Sequence, residues 1–397
     1  MTRLVSRLGR GPLTGIDRVE SAYLDHFLQD TFPLFGIIRT RVGYLLLDRA
    51  GCLALAARVR GDVSIGKSDL IGRLFYRRNP LRARAESEAR RFSIARAPRP
   101  FLGQMLRRLP AGSIYFNVGH ANLTMQGLAH LHRAGLRIAV MVHDTIPLDH
   151  PEFARPGTVA PFGQKMAAVA RHADLVIHTT QDARAKTESH FAQIGRVPKA
   201  VVANLGVPQP LTDATALPPG LTLTQPYFVA IGTVEPRKNY NLLLDVWDCF
   251  ADGPDTPHLM IVGARGWASA DVFARLDALT ADHQVKFLSG LPDLAVASLL
   301  QNAAALLFPS HAEGFGLPPV EAAALGVPVI TSNLAVIKEL LGDYPVYLDV
   351  WDVYSWMETI KSHAKAASTG TDGKTGLRYR KEPPTWADHF KIVLRDL

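Results

Sequence analysis

Two series of short apolar segments alternating with amphipathic segments limit the folds open to this chain more than any other feature. The first series spans residues 113–203 and the second spans residues 227–341. Apolar segments separated by segments of helical periodicity predict parallel strands joined by right-handed crossover helices. The sequence therefore predicts an α/β fold with two Rossmann-like, doubly wound domains that face each other across a cleft.

The predicted elements follow from this periodicity. In the first series, strands are predicted at Ser113–Asn117, Arg137–His143, Leu175–Thr179 and Ala200–Ala203, with helices at Leu123–Ala134, Val159–Ala173 and Asp182–Phe191. In the second series, strands are predicted at Tyr227–Gly232, His258–Val262, Val285–Phe287, Ala305–Phe308 and Val329–Thr331, with helices at Tyr240–Phe250, Asp271–Thr280, Leu294–Asn302, Val320–Leu325 and Val336–Leu341. Ahead of both series, further strands are predicted at Thr2–Leu8, Phe35–Thr40 and Val42–Leu47.

A proline-rich stretch marks the boundary between the two predicted domains. Prolines recur five times between residues 206 and 226, which is typical of a connecting segment. We therefore predict a first domain at residues 1–208, a linker at 209–226 and a second domain at 227–379. A last helix within residues 380–397, with apolar residues at helical spacing, is predicted to cross back onto the first domain.

Composition indicates a cytoplasmic protein. No run of about eighteen apolar residues predicts a membrane-spanning helix. The first residues lack the continuous apolar core of a signal peptide. Cys52 and Cys249 lie far apart in the sequence, so a structural disulfide is not expected, which suits a reducing compartment.

Positive charge is concentrated at the front of the chain. Residues 1–110 hold 21 Lys and Arg against 9 Asp and Glu, whereas the remaining residues hold 23 basic and 27 acidic residues. Between residues 71 and 109, arginines are interleaved with apolar side chains, as in helices that lie on an anionic membrane surface. An ordinary helix whose arginine stems cover apolar surface is the alternative. Nucleic acid is not expected as a partner, because no recognition motif is present and stacking aromatics are sparse.

Loops of the second domain carry residue types that bind phosphate. Gly232 and Gly263 end two predicted strands, where the missing side chain lets a ligand approach the backbone, and Leu291 follows a third. Arg237 and Lys238 precede a helix, and together they offer a guanidinium fork and a compact ammonium to an anion. In parallel sheets such strand-end loops form the ligand crevice.

A glycine-rich loop between two glutamates completes the predicted pocket. The loop Glu313-Gly314-Phe315-Gly316-Leu317 follows an apolar strand, and Pro318-Pro319 then opens a helix that carries Glu321. Glycine-rich backbone leaves N–H groups free for a ligand, and carboxylates accept sugar hydroxyls. Cations for a diphosphate beside carboxylates for hydroxyls predict a nucleotide-sugar pocket.

The chain resembles a known family through three motifs: GTVEPRKN at 232–239, the strand-end Gly263, and PSHAEGFGLPPVEAAALGVPVI at 309–330. They resemble the retaining glycosyltransferases of family GT4, which have the GT-B fold. The resemblance is specific over residues 227–342. In the first domain, TGIDRVE at 14–20 and HDTIPLDHPE at 143–152 resemble members that assemble bacterial polysaccharides.

The resemblance implies a set of donor-binding residues. Among them, Arg237 and Lys238 would bind the donor diphosphate, and Glu321 would accept the ribose hydroxyls. The full set is Arg237, Lys238, Glu321, Gly232, Gly263, Leu291, Gly314, Phe315, Gly316, Leu317 and Gly15.

The resemblance also places Glu313 and His143 at the reacting sugar as catalytic residues. It implies retention of anomeric configuration by front-face attack, in which the leaving phosphate assists and no protein nucleophile is needed. Glu313 would then support binding and the transition state. His143 is predicted to be a general acid or base, with a buried structural histidine as the alternative. Neither a metal nor a cofactor is expected, because Arg237 and Lys238 can neutralise the departing diphosphate.

The expected function is that of a retaining hexosyltransferase in surface polysaccharide biosynthesis. The donor would be a GDP- or UDP-hexose, with mannose from GDP-mannose favoured by the first-domain resemblance. The acceptor would be lipid-linked or a saccharide, and the enzyme would sit on the inner face of the cell membrane. The alternatives are a soluble GT-B enzyme of the glycogen or sucrose synthase type and an arginine-rich nucleic-acid-binding protein.

Overall fold

The chain folds around two parallel sheets in a computed structural model of the protein. The structure describes residues 1–11, 13–221, 223–250, 256–280, 283–369 and 380–397. Position 222 of the predicted linker and residues 370–379 of the predicted second domain therefore lie outside the described residues. The α/β prediction with two Rossmann-like domains is confirmed.

The first domain contains a small antiparallel sheet and a larger parallel one. Its strands are β1 (Gly36–Arg39), β2 (Tyr44–Leu47), β3 (Ala95–Ala97), β4 (Ile114–Asn117), β5 (Arg137–Val142), β6 (Leu175–His178) and β7 (Ala200–Val202). Its helices are α1 (Thr2–Arg7), α2 (Gly15–Gln29), α3 (Arg49–Arg60), α4 (Leu70–Phe75), α5 (Pro80–Arg91), α6 (Leu102–Leu106), α7 (Met125–Arg133), α8 (Ile146–Asp149), α9 (Val159–His172) and α10 (Gln181–Ile194). Strands β1, β2 and β3 pair antiparallel in that order, and β4 to β7 pair parallel in chain order.

The segment Thr2–Leu8 is a helix, so the strand prediction was wrong. Leu4, Val5 and Leu8 are all buried, at 3% exposure or less. A helix places positions i, i+1 and i+4 on one side, whereas a strand would turn Val5 away from the other two. Packing of α1 against α2, α3 and α5 therefore selects the helix. The seven residues Thr2–Leu8, taken without their neighbours, fit both the helical and the strand periodicity.

The second domain is a single six-stranded parallel sheet covered by helices. Its strands are β8 (Tyr227–Ile231), β9 (His258–Val262), β10 (Val285–Leu288), β11 (Ala305–Phe308), β12 (Val329–Ser332) and β13 (Val346–Leu348). Its helices are α11 (Tyr240–Asp248), α12 (Ala270–Asp277), α13 (Asp293–Gln301), α14 (Leu317–Leu325), α15 (Ala335–Leu341) and α16 (Val353–Thr369). The strand order is β10-β9-β8-β11-β12-β13, so the winding direction reverses between β8 and β11. Such a reversal opens a crevice beyond the carboxyl ends of the two strands.

The last helix, α17 (Trp386–Arg395), lies on the first domain. The hydroxyl of Tyr23 in α2 is 2.7 Å from Nε2 of His389, and both side chains are buried. Beyond the helix, Lys199 Nζ is 2.9 Å from a carboxylate oxygen of Asp396. These contacts tie the chain's last helix to the first sheet after the chain has completed the second one.

The arginine-rich stretch at 71–109 forms the separate elements α4, α5, β3 and α6. Several of its arginines pair with acids of the same domain: Arg82 lies 2.9 Å from the buried Glu86, and the buried Arg90 lies 2.7 Å from Asp69. Helix α4 nevertheless leaves Leu70 81% exposed. No helix in the described ranges is long and apolar enough to cross a membrane. Contact of this stretch with a membrane surface stays a prediction.

Candidate functional site

The candidate site lies in the crevice between β8 and β11. Gly232 follows β8, and a short 3-10 turn, Pro236–Lys238, presents two cations just beyond it. The glycine-rich loop carrying Glu313 follows β11. The two strands pair directly, with Leu306 opposite Val229, so their following loops begin side by side. The reversal of the sheet at this point therefore brings together two motifs that are distant in sequence.

Bare backbone forms part of this crevice at Gly263. Its N–H donates to the carbonyl of Leu288 at 3.0 Å, which holds it beside the end of β10. A Cβ at Gly263 would lie 1.9 Å from the carbonyl oxygen of Gly232. The ends of β8 and β9 are therefore too close for any side chain at Gly263, and contact of this glycine with a donor stays a prediction.

Arg237, Lys238 and Glu313 form a buried cluster of ion pairs. Glu313 Oε2 lies 2.7 Å from Arg237 Nη1, and Glu313 Oε1 lies 2.6 Å from Lys238 Nζ. Arg237 Nε is also 2.6 Å from Oε1 of Glu235. The side chain of Glu313 is 6% exposed and that of Lys238 is 9% exposed. Both cations predicted to bind a diphosphate are therefore neutralised by carboxylates of the protein itself.

Burial and these partners decide the protonation of the cluster. Burial raises the pKa of Glu313, but Arg237 and Lys238 outweigh it and lower that pKa to about 2. Burial lowers the pKa of Lys238, and Glu313 only partly offsets this. Burial also raises the pKa of Glu235, which Arg237 opposes. Glu313 is thus a carboxylate at neutral pH.

The first domain supplies the opposite wall of the crevice through the residues that follow β5. A Cβ at Gly314 would lie 2.8 Å from the carbonyl oxygen of His143 and 2.8 Å from Oδ2 of Asp144. Thr179 Oγ1 donates to the carbonyl oxygen of Gly314 at 3.0 Å. Only glycine fits at 314, because the two domains touch there. The contact brings His143 next to the Glu313 loop.

His143 is neutral and has a defined tautomer. Its side chain is buried, and Nε2 lies 2.7 Å from the carbonyl oxygen of Val118. A carbonyl only accepts hydrogen bonds, so Nε2 carries the proton and Nδ1 is left as an acceptor. Burial lowers the pKa of His143 to about 4. The ring is therefore uncharged across the physiological pH range.

Glu321 faces the first domain from α14. Its Oε1 lies 2.7 Å from Nη1 of Arg18 in α2. Gly15, the first residue of α2, is close to the start of α14, because a Cβ there would lie 3.5 Å from Leu317 Cδ1. Burial raises the pKa of Glu321, and Arg18 opposes this. Three of the predicted donor-site residues, Glu321, Leu317 and Gly15, are thus brought together at one contact between the domains.

The other predicted site residues have evident packing roles. Phe315 is 6% exposed and belongs to the main apolar core. Gly316 is the N-cap of α14 and has a φ of +91°, a conformation that favours glycine. Leu291 is partly buried against the same core. Their contact with a donor stays a prediction.

Sequence reasoning gave no partner for three charged residues that the structure places at the crevice or at the domain contact. Glu235 pairs with Arg237, and Arg18 pairs with Glu321. The carboxylate of Glu339 accepts hydrogen bonds from the first two N–H groups of α10, at 2.7 and 3.2 Å. The Arg18–Glu321 pair spans 303 positions of sequence, and no local pattern indicates such a partner.

Comparisons with known proteins point to one class of enzymes. Residues 218–360 match the family model described as Glycosyl transferases group 1. The serotype-specific mannosyltransferase WbdA of Escherichia coli is 30% identical over 234 residues, which cover 54% of this chain and 28% of that protein. The O-antigen chain mannosyltransferase RfbU of Salmonella typhimurium is 33% identical over 139 residues, covering 34% of this chain and 38% of that protein. The matches thus span well under half the length of these relatives.

A solved structure shares the two-domain arrangement. The Anabaena protein Alr3699/HepE, crystallised with UDP-glucose, superimposes with a TM-score of 0.53 over 75% of this chain and 82% of that one. Its sequence is 16% identical, so this likeness concerns the fold alone. Residues 218–360 are thus similar to the glycosyl transferases group 1 family, and the chain has the GT-B fold.

Proposed function

We propose that the chain is a retaining hexosyltransferase that moves a hexose from a nucleotide sugar to a lipid-linked or saccharide acceptor in surface polysaccharide biosynthesis. The observation that carries this proposal is the buried cluster of Arg237, Lys238 and Glu313 at the sheet reversal, faced by His143 of the other domain. The group 1 match and the names of the relatives, which are mannosyltransferases, support the same reaction class.

Donor binding would rearrange the ion pairs of the crevice. Arg237 and Lys238 already hold Glu313 and Glu235, so an incoming diphosphate competes with carboxylates instead of entering a positive pocket. A guanidinium has five N–H donors and can serve a phosphate and a carboxylate together. As the diphosphate draws on both cations, Glu313 becomes free to accept hydroxyls of the transferred sugar.

The reaction itself needs charge stabilisation more than a protein nucleophile. The bond between the anomeric carbon and the diphosphate oxygen breaks, and the acceptor hydroxyl oxygen bonds to that carbon on the same face. The acceptor's proton passes to the leaving phosphate. Arg237 and Lys238 stabilise the negative charge that develops on the diphosphate, and the Glu313 carboxylate stabilises the positive charge that develops on the sugar.

His143 would act as a hydrogen-bond acceptor in this scheme. Its Nε2–H is committed to the Val118 carbonyl, and its pKa of about 4 keeps it uncharged at neutral pH. The free Nδ1 can accept a hydroxyl of the sugar. The sequence predicted that His143 is a general acid or a general base. Burial disfavours the general acid, because that role requires a charged imidazolium.

The donor is proposed to be a GDP- or UDP-hexose, with GDP-mannose first because the relatives are named mannosyltransferases. The enzyme is proposed to work on the inner face of the cell membrane. The basic first domain and the exposed apolar side chains of α4 (Leu70, Ile71, Leu74 and Phe75) support this location. A soluble enzyme of the glycogen or sucrose synthase type would instead reach full activity on a soluble acceptor without membranes.

A Lys238→Ala variant tests the donor site. We expect donor hydrolysis and sugar transfer to fall by about 10- to 150-fold, because a hydrogen bond to a charged group contributes about 1.5–3 kcal/mol. The matched control is Lys361→Ala, which removes an exposed lysine that pairs with Glu358 at 3.0 Å in α16. The assay uses radiolabelled GDP-mannose, UDP-glucose and ADP-glucose, with and without membrane extract. Equal turnover by Lys238→Ala and Lys361→Ala would contradict the proposed site.

A further inference from the structure

The motif TGIDRVE at 14–20 has a specific structural role in its first half. Thr14 is the N-cap of α2, and its N–H donates to Asp17 Oδ2 at 3.0 Å. Asp17 is completely buried and pairs with Arg3 at 2.5 Å and Arg7 at 3.2 Å, both in α1. These bonds fix the first turn of α2 against α1. The adjacent residue, Arg18, is thereby held at the domain contact.

Arg18 reaches a carboxylate of the other domain. Its Nη1 lies 2.7 Å from Glu321 Oε1, and its side chain is 37% exposed whereas that of Glu321 is 16% exposed. Exposed or partly exposed ion pairs contribute only about 0–1 kcal/mol to folding stability. The pair therefore adds little to the stability of the fold. Its main effect is on Glu321, whose carboxylate is disfavoured by burial and favoured by the guanidinium.

We propose that Arg18 is a positioning residue for the nucleotide part of the donor. Its guanidinium lies 2.7 Å from Oε1 and orients the carboxylate, so that Oε2 accepts the ribose hydroxyls. Within the described part of the chain, only Oε1 of Glu321 is engaged, by Arg18. The inference rests on the proposed function, in which Glu321 binds ribose. It adds Arg18 to Gly15 and His143 as a third residue that the first domain would bring to the site.

A cavity adjoins Arg18 on the first-domain side of the pair, and Glu321 is not among the residues that line it. This cavity of about 820 Å³ is lined by Gly15, Arg18 and Leu317, and it extends between α2 and α17 past Trp386. A protonated Glu321 would present only one acceptor oxygen and one donor to a diol, whereas the carboxylate presents two acceptors. The contact also couples the site to the relative position of the domains, because Glu321 keeps its counter-ion only while α2 lies against α14.

The test is a double-mutant cycle on Arg18→Ala and Glu321→Gln, with dissociation constants measured by calorimetry. The probes are GDP, UDP and inorganic pyrophosphate. We expect Arg18→Ala to weaken binding of whichever nucleoside diphosphate the wild type prefers by about 10-fold. Pyrophosphate affinity should be unchanged. In the Glu321→Gln background, Arg18→Ala should have no further effect, since both act through one carboxylate.

Two further variants separate positioning from a structural role. Arg18→Lys should recover part of the nucleotide affinity. Arg155→Ala removes another contact between the domains, a guanidinium 4.2 Å from the Trp267 ring, and should leave the affinity unchanged. When the pH is lowered, nucleotide affinity should decline at a higher pH in Arg18→Ala than in the wild type, because Glu321 has lost the guanidinium that lowers its pKa.

The outcomes that overturn the inference differ from those that overturn the proposed function. A wild type that binds neither GDP nor UDP overturns both. Wild-type binding with unchanged affinity in Arg18→Ala overturns only the role of Arg18. Loss of pyrophosphate affinity in Arg18→Ala also overturns it, because Arg18 would then be a ligand of the diphosphate itself. Additive losses in the double variant would show that Arg18 does not act through Glu321.

Discussion

Replacing Glu313 with glutamine tests whether the crevice is held together by its own charges. Glutamine has the same shape, so the change removes a charge without opening a cavity. In the variant, Arg237 keeps Glu235 as a carboxylate partner. Lys238 loses the carboxylate that lies 2.6 Å from its Nζ, and both cations stay buried. The variant thus isolates the electrostatic contribution of one side chain.

The expected loss of stability follows from the burial of the cluster. Removing one partner of a buried ion pair costs about 3–5 kcal/mol, because the other charge stays buried and uncompensated. The pKa of Glu313 is lowered from 4.5 to about 2, so its stabilising contribution is present above about pH 4.5 and is lost as the pH falls towards 2. The stability difference between wild type and Glu313→Gln should therefore shrink in that pH window.

A nucleoside diphosphate should partly repair the variant. Its phosphates supply negative charge to Arg237 and Lys238 without first displacing Glu313, so the ligand should stabilise Glu313→Gln more than the wild type at equal concentration. Sugar transfer should nevertheless be lost, because the carboxylate proposed to support the transferred sugar is gone. This combination of stronger ligand stabilisation and weaker activity distinguishes the proposed charge competition from simple damage to the site.

The assay is urea unfolding followed by tryptophan fluorescence and circular dichroism, with and without GDP or UDP. The matched control is Glu188→Gln, which breaks an exposed pair with Arg184 at 2.8 Å and should change the free energy of unfolding by about 0–1 kcal/mol. A loss in Glu313→Gln no larger than in this control would refute the reasoning. So would a greater ligand stabilisation of the wild type.

Two other predictions concern the domain contact and the histidine. In Gly314→Ala, the new Cβ would lie 2.8 Å from the His143 carbonyl oxygen, so the domains must shift apart. We therefore expect sugar transfer to drop at least about 10-fold. The control is Gly163→Ala in α9, which should keep full activity because its Cβ would lie 3.8 Å from Leu148. A pH–rate profile of the wild type should show no step near pH 6.5 that is due to His143, because the pKa of this histidine is about 4. A step near pH 6.5 that disappears in His143→Gln would contradict this prediction and would mean that the histidine titrates during the reaction.

The second domain was predictable because its signals are local. Each strand is a short apolar run and each ligand loop carries glycines or charges directly after a strand, so periodicity and motif place both. The strand predictions for β8, β9, β10, β11 and β12 are confirmed within one or two residues at each end. The first domain was harder, because Thr2–Leu8 fits a strand and a helix equally and only its neighbours decide.

The ionic partners of the site residues lay beyond sequence reasoning. The motif at 232–239 indicated an anion site, but not that Glu313, 75 positions from Lys238, would pair with both Arg237 and Lys238. The histidine at the end of β5 was indicated as a site residue, but its neutral state depends on burial and on the Val118 carbonyl. Arg18 stood in a motif already noted, yet its partner lies in the other domain.

The amino-acid sequence by itself determined the two-domain α/β architecture, the position of the candidate ligand loops and the chemical type of each candidate site residue, because periodicity, glycine and charge act over a few neighbouring residues. Only the tertiary structure decided which charges meet, which of them are buried and how far their pKa values move. Those properties depend on distances between segments that the reversal of the sheet and the closing of the domains bring together.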